Sequence, residues 1–259
     1  MAAACIKKEG LSKVNVIVLA GEKKVIGDKQ EEKMNKAFYK IKDKHMIEYV
    51  IETLRQCSSI DKIAVVGPKE KLEPVVGSVV DNIIEGTDSI VSNILLTLDH
   101  FPGEKEILIV TSDIPMITKE AIEDFIQRAR QKGVDLCYSI VDKRVNDMKY
   151  PGVRRTYARL WEGQFTGGNV FYFNPDVTDK CKDFVEKMLD YRKSPTKMAR
   201  VLGFGFLLRL ALGILTINAI QRKCEILLGI RGAAIISPYP EIGNDVDRLS
   251  DLEYIEKYM

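Results

Sequence analysis

The sequence is poor in the residues that zinc chemistry and covalent catalysis by the protein would need: two histidines and five cysteines in 259 residues. Cys5, Cys57, Cys137, Cys181 and Cys224 are dispersed, form no CxxC pair and are odd in number. They read as free thiols of a reducing cytoplasm, packed in the interior, and no His or Cys cluster offers a zinc site. Charge of one sign is lacking too, since 39 Lys and Arg meet 37 Asp and Glu for a net charge of +2. That balance describes an ordinary soluble chain and gives no reason to expect a nucleic-acid partner. The opening MAAACIKKEG has no apolar region of signal-peptide length, so no export is expected. Internal repeats and low-complexity linkers are missing as well.

A clean membrane span is also missing. The stretch VLGFGFLLRLALGILTINAI, residues 201–220, has bilayer length, but Arg209 sits at its middle. A central arginine costs roughly 3 kcal/mol on insertion, and Gly203, Gly205 and Gly213 weaken the helix further. We expect no stable membrane insertion. The stretch instead predicts helices packed on the core or in a homodimer interface, a face that docks on lipid, or a cover over an apolar acceptor.

What is present is an alternation of strands and helices. Val14–Leu19 reads as a first strand, followed by a helix over 45–56, a strand over 62–66, a helix over 69–76 and a short strand over 82–84. A helix over 88–99, a strand ending before Asp113 and a helix over 119–132 complete the pattern. This alternation predicts a doubly wound, mostly parallel sheet. Beyond Gly133, the segments VDLCYSIV, GVRRTYARLW and GGNVFYFNP add mixed strands on which an acceptor pocket can be built. A chain of this length buries one full α/β core. We therefore read 1–259 as one domain, with a nucleotide-binding half (14–132), an acceptor half (133–259) and a helical insertion at about 188–230.

Asp113, in EILIVTSDIPMIT, follows a run of four aliphatic residues that reads as a strand buried on both faces. Open α/β sheets bind ligands at that carboxyl edge, so Asp113 is either a metal-holding carboxylate or simply the start of a turn. The first strand ends likewise in Ala20 and Gly21, small enough for close approach of a bound group. A basic loop follows, carrying Lys23, Lys24, Lys29, Lys33 and Lys36. It suits a polyphosphate, or else is a solvated surface. It holds neither GxGxxG nor GxxxxGK[ST], which argues against an NAD enzyme and a P-loop NTPase.

The order LAG, basic loop, NKAFYKIKDKHMIEYV, IAVVGP, TSDIP, TGGNVFYFNP and DVDRLSDL resembles the sugar-nucleotide, cytidylyl and cofactor nucleotidyltransferases. It is most similar to the branch holding molybdenum-cofactor guanylyltransferase and the MobA-like NTP transferases. The likeness runs over about 14–177 and 233–256. It implies a Rossmann-like sheet of the nucleotide-diphospho-sugar transferase (GT-A) type, with a mixed-strand acceptor layer and a helical insertion.

The activity it implies is transfer of NMP from an NTP to a small phosphorylated or hydroxylated acceptor, with magnesium and release of pyrophosphate. A metal-dependent glycosyltransferase of the same fold, or a nucleotide-binding regulatory module without turnover, are the other readings. By the resemblance, Leu19, Ala20 and Gly21 lie against the nucleotide, Lys36 is the signature lysine, and Lys23 or Lys24 stands where relatives carry an arginine. Glu22, directly after Gly21, departs from the glycine-rich pattern and would repel phosphate unless it faces solvent or pairs with Lys23 or Lys24.

Asp247 falls on the first position of the family's C-terminal motif, which makes it the second magnesium ligand beside Asp113, with Asp245 its close competitor and Asp251 a helix cap. Gly86, Thr87, Ser89 and Asn93 are candidates for base and ribose contacts, or for a helix cap. Thr166, Gly167, Gly168 and Asn169 are candidates for the acceptor, or for tight strand packing. Arg155 and Arg159 are expected on one strand face and Arg154 on the other, so part of this cluster could meet an anionic acceptor.

Overall fold

The protein is described by a computed structural model over residues 12–21, 35–191 and 194–259. Strand β1 (Val14–Leu19) supplies the centre of the sheet. Its neighbours are β4 (Ile60–Gly67) and β6 (Ile107–Thr111), both parallel to it, and β5 (Asn82–Glu85) extends the β4 side in parallel. On the other side β6 pairs antiparallel with β9 (Gly163–Phe173). Strand β9 in turn pairs antiparallel with β7 (Leu136–Asp142), and β10 (Gly232–Ser237) lies parallel to β7 at the edge. The mixed strands expected beyond Gly133 therefore continue the same sheet, in the order β10-β7-β9-β6-β1-β4-β5, with β8 (Ala158–Leu160) paired to β9. A separate hairpin of β2 (Lys40–Ile41) and β3 (Lys44–His45) precedes the first helix.

Alternation along β1 divides the core between the two faces of the sheet. Val14, Val16 and Val18 join one cluster with Ile47, Ile51 and Leu54 of α1 (Met46–Gln56) and with Ile122 and Phe125 of α4 (Lys119–Lys132). Ile17 joins the opposite cluster with Ala64, Val66, Ile107 and Ile109, against which Ile94 and Leu98 of α3 (Ile90–Leu98) pack. Each of these fully buried aliphatic side chains contributes roughly 1.5–3 kcal/mol over an exposed one, so burial on both faces fixes β1 in register. Helix α2 (Lys69–Val76) buries Leu72 and Val76 in the first cluster.

Local chemistry sets the element ends. Thr118 caps α4 by accepting from the Ala121 amide, and Gly133 stops that helix at a left-handed φ of 57°. Ser89 caps α3 by accepting from the Ser92 amide. After α5 (Lys143–Lys149) and the β8–β9 pair come α6 (Thr178–Tyr191), α7 (Pro195–Leu202), α8 (Phe204–Ala211) and α9 (Ile217–Leu228). The chain then forms β10 and closes on α10 (Leu249–Ile255). Among the described residues, no helix is long and apolar enough to cross a membrane.

The reading of GVRRTYARLW, residues 152–161, as one strand is corrected here. Only Ala158–Leu160 is strand, so the alternation expected of Arg154, Arg155 and Arg159 does not extend through the three. Arg159 lies with its stem beside Gly213, where an added Cβ would come within 2.8 Å of Arg159 Cδ. Arg155 turns to Asp245 instead.

Candidate active site

The carboxyl ends of β1, β4 and β6 meet at one edge of the sheet, and backbone proximity there is extreme. A Cβ on Gly67 would stand 2.5 Å from the Ala20 carbonyl oxygen, and one on Gly86 would stand 2.9 Å from Gly67 Cα. Both glycines are therefore required by packing of the three crossing chain segments. Gly67→Ala is expected to cost about 2–3 kcal/mol, because the obstructing atoms are backbone and cannot rotate away; the shift in denaturation midpoint measures it.

Buried Asn35 ties the next segment to that edge. Its Nδ2 donates to the Ala20 carbonyl at 2.7 Å, and its Oδ1 accepts from the Ala37 amide at 2.9 Å, capping the 3-10 turn Lys36–Phe38. Lys36 is thereby aimed back over the strand ends, and its Nζ donates to Asp247 Oδ1 at 2.5 Å and lies 3.7 Å from Asp113 Oδ2. Burial works against the ammonium, but Asp247, Asp113 and Asp245 outweigh it, and the pKa of Lys36 lies above the ordinary lysine value. The side chain is a permanent cation at any physiological pH.

Asp113 stands two residues beyond β6, as read from the sequence. The amide of Ser112 donates to the Leu19 carbonyl at 3.1 Å, and that of Val246 to the Asp113 carbonyl at 2.9 Å, so the C-terminal segment is pinned to the strand end. This pinning brings Asp245 and Asp247 to Asp113: one oxygen of each lies within 4.8 Å of the others. The two C-terminal aspartates are thus partners in one cluster. The Asp251 carboxylate accepts from the amides of Asp247 and Arg248 at 3.0 and 2.9 Å, which caps α10 and fixes the loop.

The three carboxylates are not equivalent. Asp245 is drawn inward, where Arg155 holds its side chain in an ion pair and also donates to its carbonyl at 2.9 Å, while Asn169 donates to its Oδ1 at 3.3 Å. Burial and the neighbouring Asp113 charge push the Asp245 pKa up, against the pull of Arg155. Asp113 is 8% exposed, and its Oδ1 is a buried acceptor with no hydrogen-bond partner among the described residues. Asp247 has the most open side chain of the three, at 57% exposure. A crowded set of hard oxygen donors with one orphaned buried oxygen fits a divalent cation such as magnesium.

Other sequence-selected residues are placed less directly. Leu19 and Ala20 end β1, and a Cβ on Gly21 would lie 3.3 Å from Asn93 Nδ2. Asn93 is buried and fully engaged with Thr87: it accepts from the Thr87 amide at 2.6 Å and hydroxyl at 2.9 Å, and donates to its carbonyl at 3.0 Å. Ser89 is occupied as the cap of α3. Gly167 and Gly168 face β7, where an added Cβ would sit 2.0 Å from the tip of the Tyr138 side chain and 2.1 Å from Ser139 Oγ; at Gly168 it would also stand 3.0 Å from the Ser139 carbonyl oxygen, so packing requires a glycine there. Thr166 is buried beside them. Lys23 and Lys24, with Glu22, Lys29 and Lys33, lie outside the described residues.

The profile of the MobA-like NTP transferase domain matches residues 16–189. The chain belongs to the MobA-like NTP transferase family. A solved hypothetical transferase from Thermus thermophilus is 31% identical, with a TM-score of 0.82 over 93% of this chain and 99% of that one. The bifunctional protein GlmU of Caldanaerobacter subterraneus is 28% identical over 125 residues, 48% of this chain and 26% of GlmU. GlmU of Thermoanaerobacter pseudethanolicus is 32% identical over 123 residues, 46% of this chain and 25% of that protein. The match thus spans about a quarter of these curated relatives. CMP:2-keto-3-deoxy-manno-octonic acid synthetase, solved with CTP, shares the fold at a TM-score of 0.58 and 17% identity, covering 96% and 98% of the two chains.

Within this MobA-like site, sequence reasoning passed over three contributors. Asn35 was visible as the residue before Lys36, and an Asn at that point is a common cap. Gly67 had no signal of its own, because its need arises from a crossing of distant segments. The Arg155–Asp245 pair joins residues 90 apart in the chain. Arg155→Ala is expected to destabilise by about 2 kcal/mol, less than for a fully buried pair, because Asn169 remains and Asp245 can take up a proton. Thermal unfolding without added metal checks it.

Proposed function

We propose that this chain transfers NMP from an NTP to a small phosphorylated or hydroxylated acceptor and releases pyrophosphate, in a magnesium-dependent reaction. The observation that carries this reading is the meeting of Lys36 with Asp113, Asp245 and Asp247 at the carboxyl edge of β1 and β6. An acceptor oxygen attacks the α-phosphorus, the bond from that phosphorus to the bridging oxygen breaks, and pyrophosphate leaves with that oxygen's electron pair. Lys36 stabilises charge that builds on the phosphate oxygens. Asp113 and Asp247 would hold the divalent cation, with Asp245 beside them but partly neutralised by Arg155; when bound, the cation screens the phosphates.

Leu19, Ala20 and Gly21, with the Gly86–Thr87 backbone, offer a wall for the nucleoside, and Asn93 is a positioning residue that holds Thr87 there. A cleft of about 220 Å³ adjoins Asp245 and is lined by Arg154, Asn244 and Tyr254 among others. It suits an anionic or polyhydroxylated acceptor, with Arg154 the cation offered to it, since Arg155 is taken by Asp245; Asn169 bonds to Asp245 from the neighbouring strand β9. None of the residues lining this cleft comes from the apolar stretch 201–220, so the idea of an acceptor cover there gains no support. The chemistry needs no protein nucleophile. Burial pushes the Cys57 and Cys137 thiols up to about 12 and about 11, which keeps both unreactive.

Product analysis tests the proposal. Incubation with each NTP, magnesium and a panel of sugar phosphates, phosphorylated alcohols and polyols should yield pyrophosphate and a nucleotidylated acceptor. Free nucleoside diphosphate released from a nucleotide sugar would instead establish a glycosyltransferase, and binding without any turnover would establish a regulatory module.

A further inference from the structure

Helix α8 packs one face inward, placing Phe206 and Leu210 against Leu160, Phe165, Ile140 and Leu215. Its other face is apolar and open. Phe204 is 75% exposed, and Leu208 and Leu212, four and eight residues on, are 48% and 59% exposed. The turn after β8 hydrogen-bonds to the chain just past α8, Trp161 N to Leu215 O at 2.9 Å, and there Trp161 and Ile214 are exposed as well. A row of large apolar side chains of this kind marks an interaction surface.

The charge around it selects the partner. Residues 191–224 hold seven Lys and Arg and no Asp or Glu. Of these, Lys197, Arg200 and Arg209 are exposed on or beside α8, while Arg192 and Lys193 lie outside the described residues. An acidic group that does touch the segment, Glu162, has its carboxylate taken by the Ile217 amide. A second copy of this chain docking face to face would bring cation onto cation, since a two-fold contact pairs each patch with itself. A partner that is negative at its surface and apolar beneath meets both features, and an eight-residue helix can lie in such a surface but not cross it.

We propose that the face of α8 carrying Phe204, Leu208 and Leu212, with its flanking basic residues, docks peripherally on anionic lipid bilayers. The experiment is cosedimentation of the full chain with vesicles of phosphatidylcholine alone or mixed with phosphatidylglycerol, at low and high salt. The wild type should pellet with the mixed vesicles at low salt, partition at least about tenfold less into the neutral ones, and be released by high salt. Phe204→Glu with Leu208→Glu, and separately Lys197→Glu with Arg209→Glu, should each lower partitioning roughly tenfold or more at unchanged melting temperature, since all four side chains are exposed. Equal binding to neutral and anionic vesicles would overturn the proposal, as would variants that bind like wild type. So would a wild-type dimer in solution that the Phe204 and Leu208 changes dissociate, which would assign the face to a second copy.

Discussion

Asp113→Asn should lower nucleotidyl transfer by roughly a thousandfold or more while leaving the metal-free protein at least as stable as the wild type. The activity half follows from removing a ligand charge at the centre of the three-carboxylate cluster. The stability half follows from the balance of charges among these side chains. Among the described residues Asp113 faces two carboxylates, Asp247 and an Asp245 partly neutralised by Arg155, against the Lys36 ammonium at 3.7 Å. At an effective dielectric near 20, a unit pair at about 4 Å is worth about 4 kcal/mol, so repulsion from Asp247 and from the remaining charge of Asp245 offsets the attraction of Lys36 and leaves little net stabilisation to lose. Its Oδ1 also lacks a hydrogen-bond donor among the described residues. Paired activity and melting measurements check this; a variant that melts well below wild type would show that Asp113 serves the fold.

Lys36→Ala should reduce the rate at saturating substrate by at least about a hundredfold, with a smaller change in KM for the NTP. Asn35 remains to cap the turn and to hold Ala20, so the local backbone stays in place. The divalent-cation affinity of the free protein should be equal or tighter, because Asp113 and Asp247 lose a competing cation. That opposite sign separates a lysine acting on phosphate from one that merely supports the metal. A saturating rate within about twofold of wild type would reduce Lys36 to a surface residue.

Much of this was legible in the sequence because the signals were local. The run of four aliphatic residues before Asp113 fixed a buried strand and placed the aspartate at its carboxyl edge, and the helix over 119–132 carried both its Thr cap and its Gly stop. The stretch 201–220, with an arginine at its middle, did break into short helices. Long-range crossings were not legible. Nothing near Gly67 announces that its hydrogen faces the Ala20 carbonyl, and nothing near Arg155 announces a partner 90 residues on. Asp245 and Asp247 could not be ranked by alternation, because residues two apart in an extended segment point the same way, and both do reach one cluster with Asp113. For the two glycines of TGGN, small size suggested ligand approach or tight strand packing, and on the β7 side the space opposite them belongs to Tyr138 and Ser139.

The most direct test is thermal stabilisation of the wild type by CTP, GTP, ATP and UTP, each with and without magnesium, beside Asp113→Asn. At least one NTP should stabilise the wild type when magnesium is present, by about 2.7 kcal/mol at a hundred times its dissociation constant, and the same pair should do little for the variant. Failure of all four to stabilise the wild type with magnesium, or equal stabilisation of Asp113→Asn, would contradict a nucleotide and metal site at the meeting of Lys36, Asp113, Asp245 and Asp247.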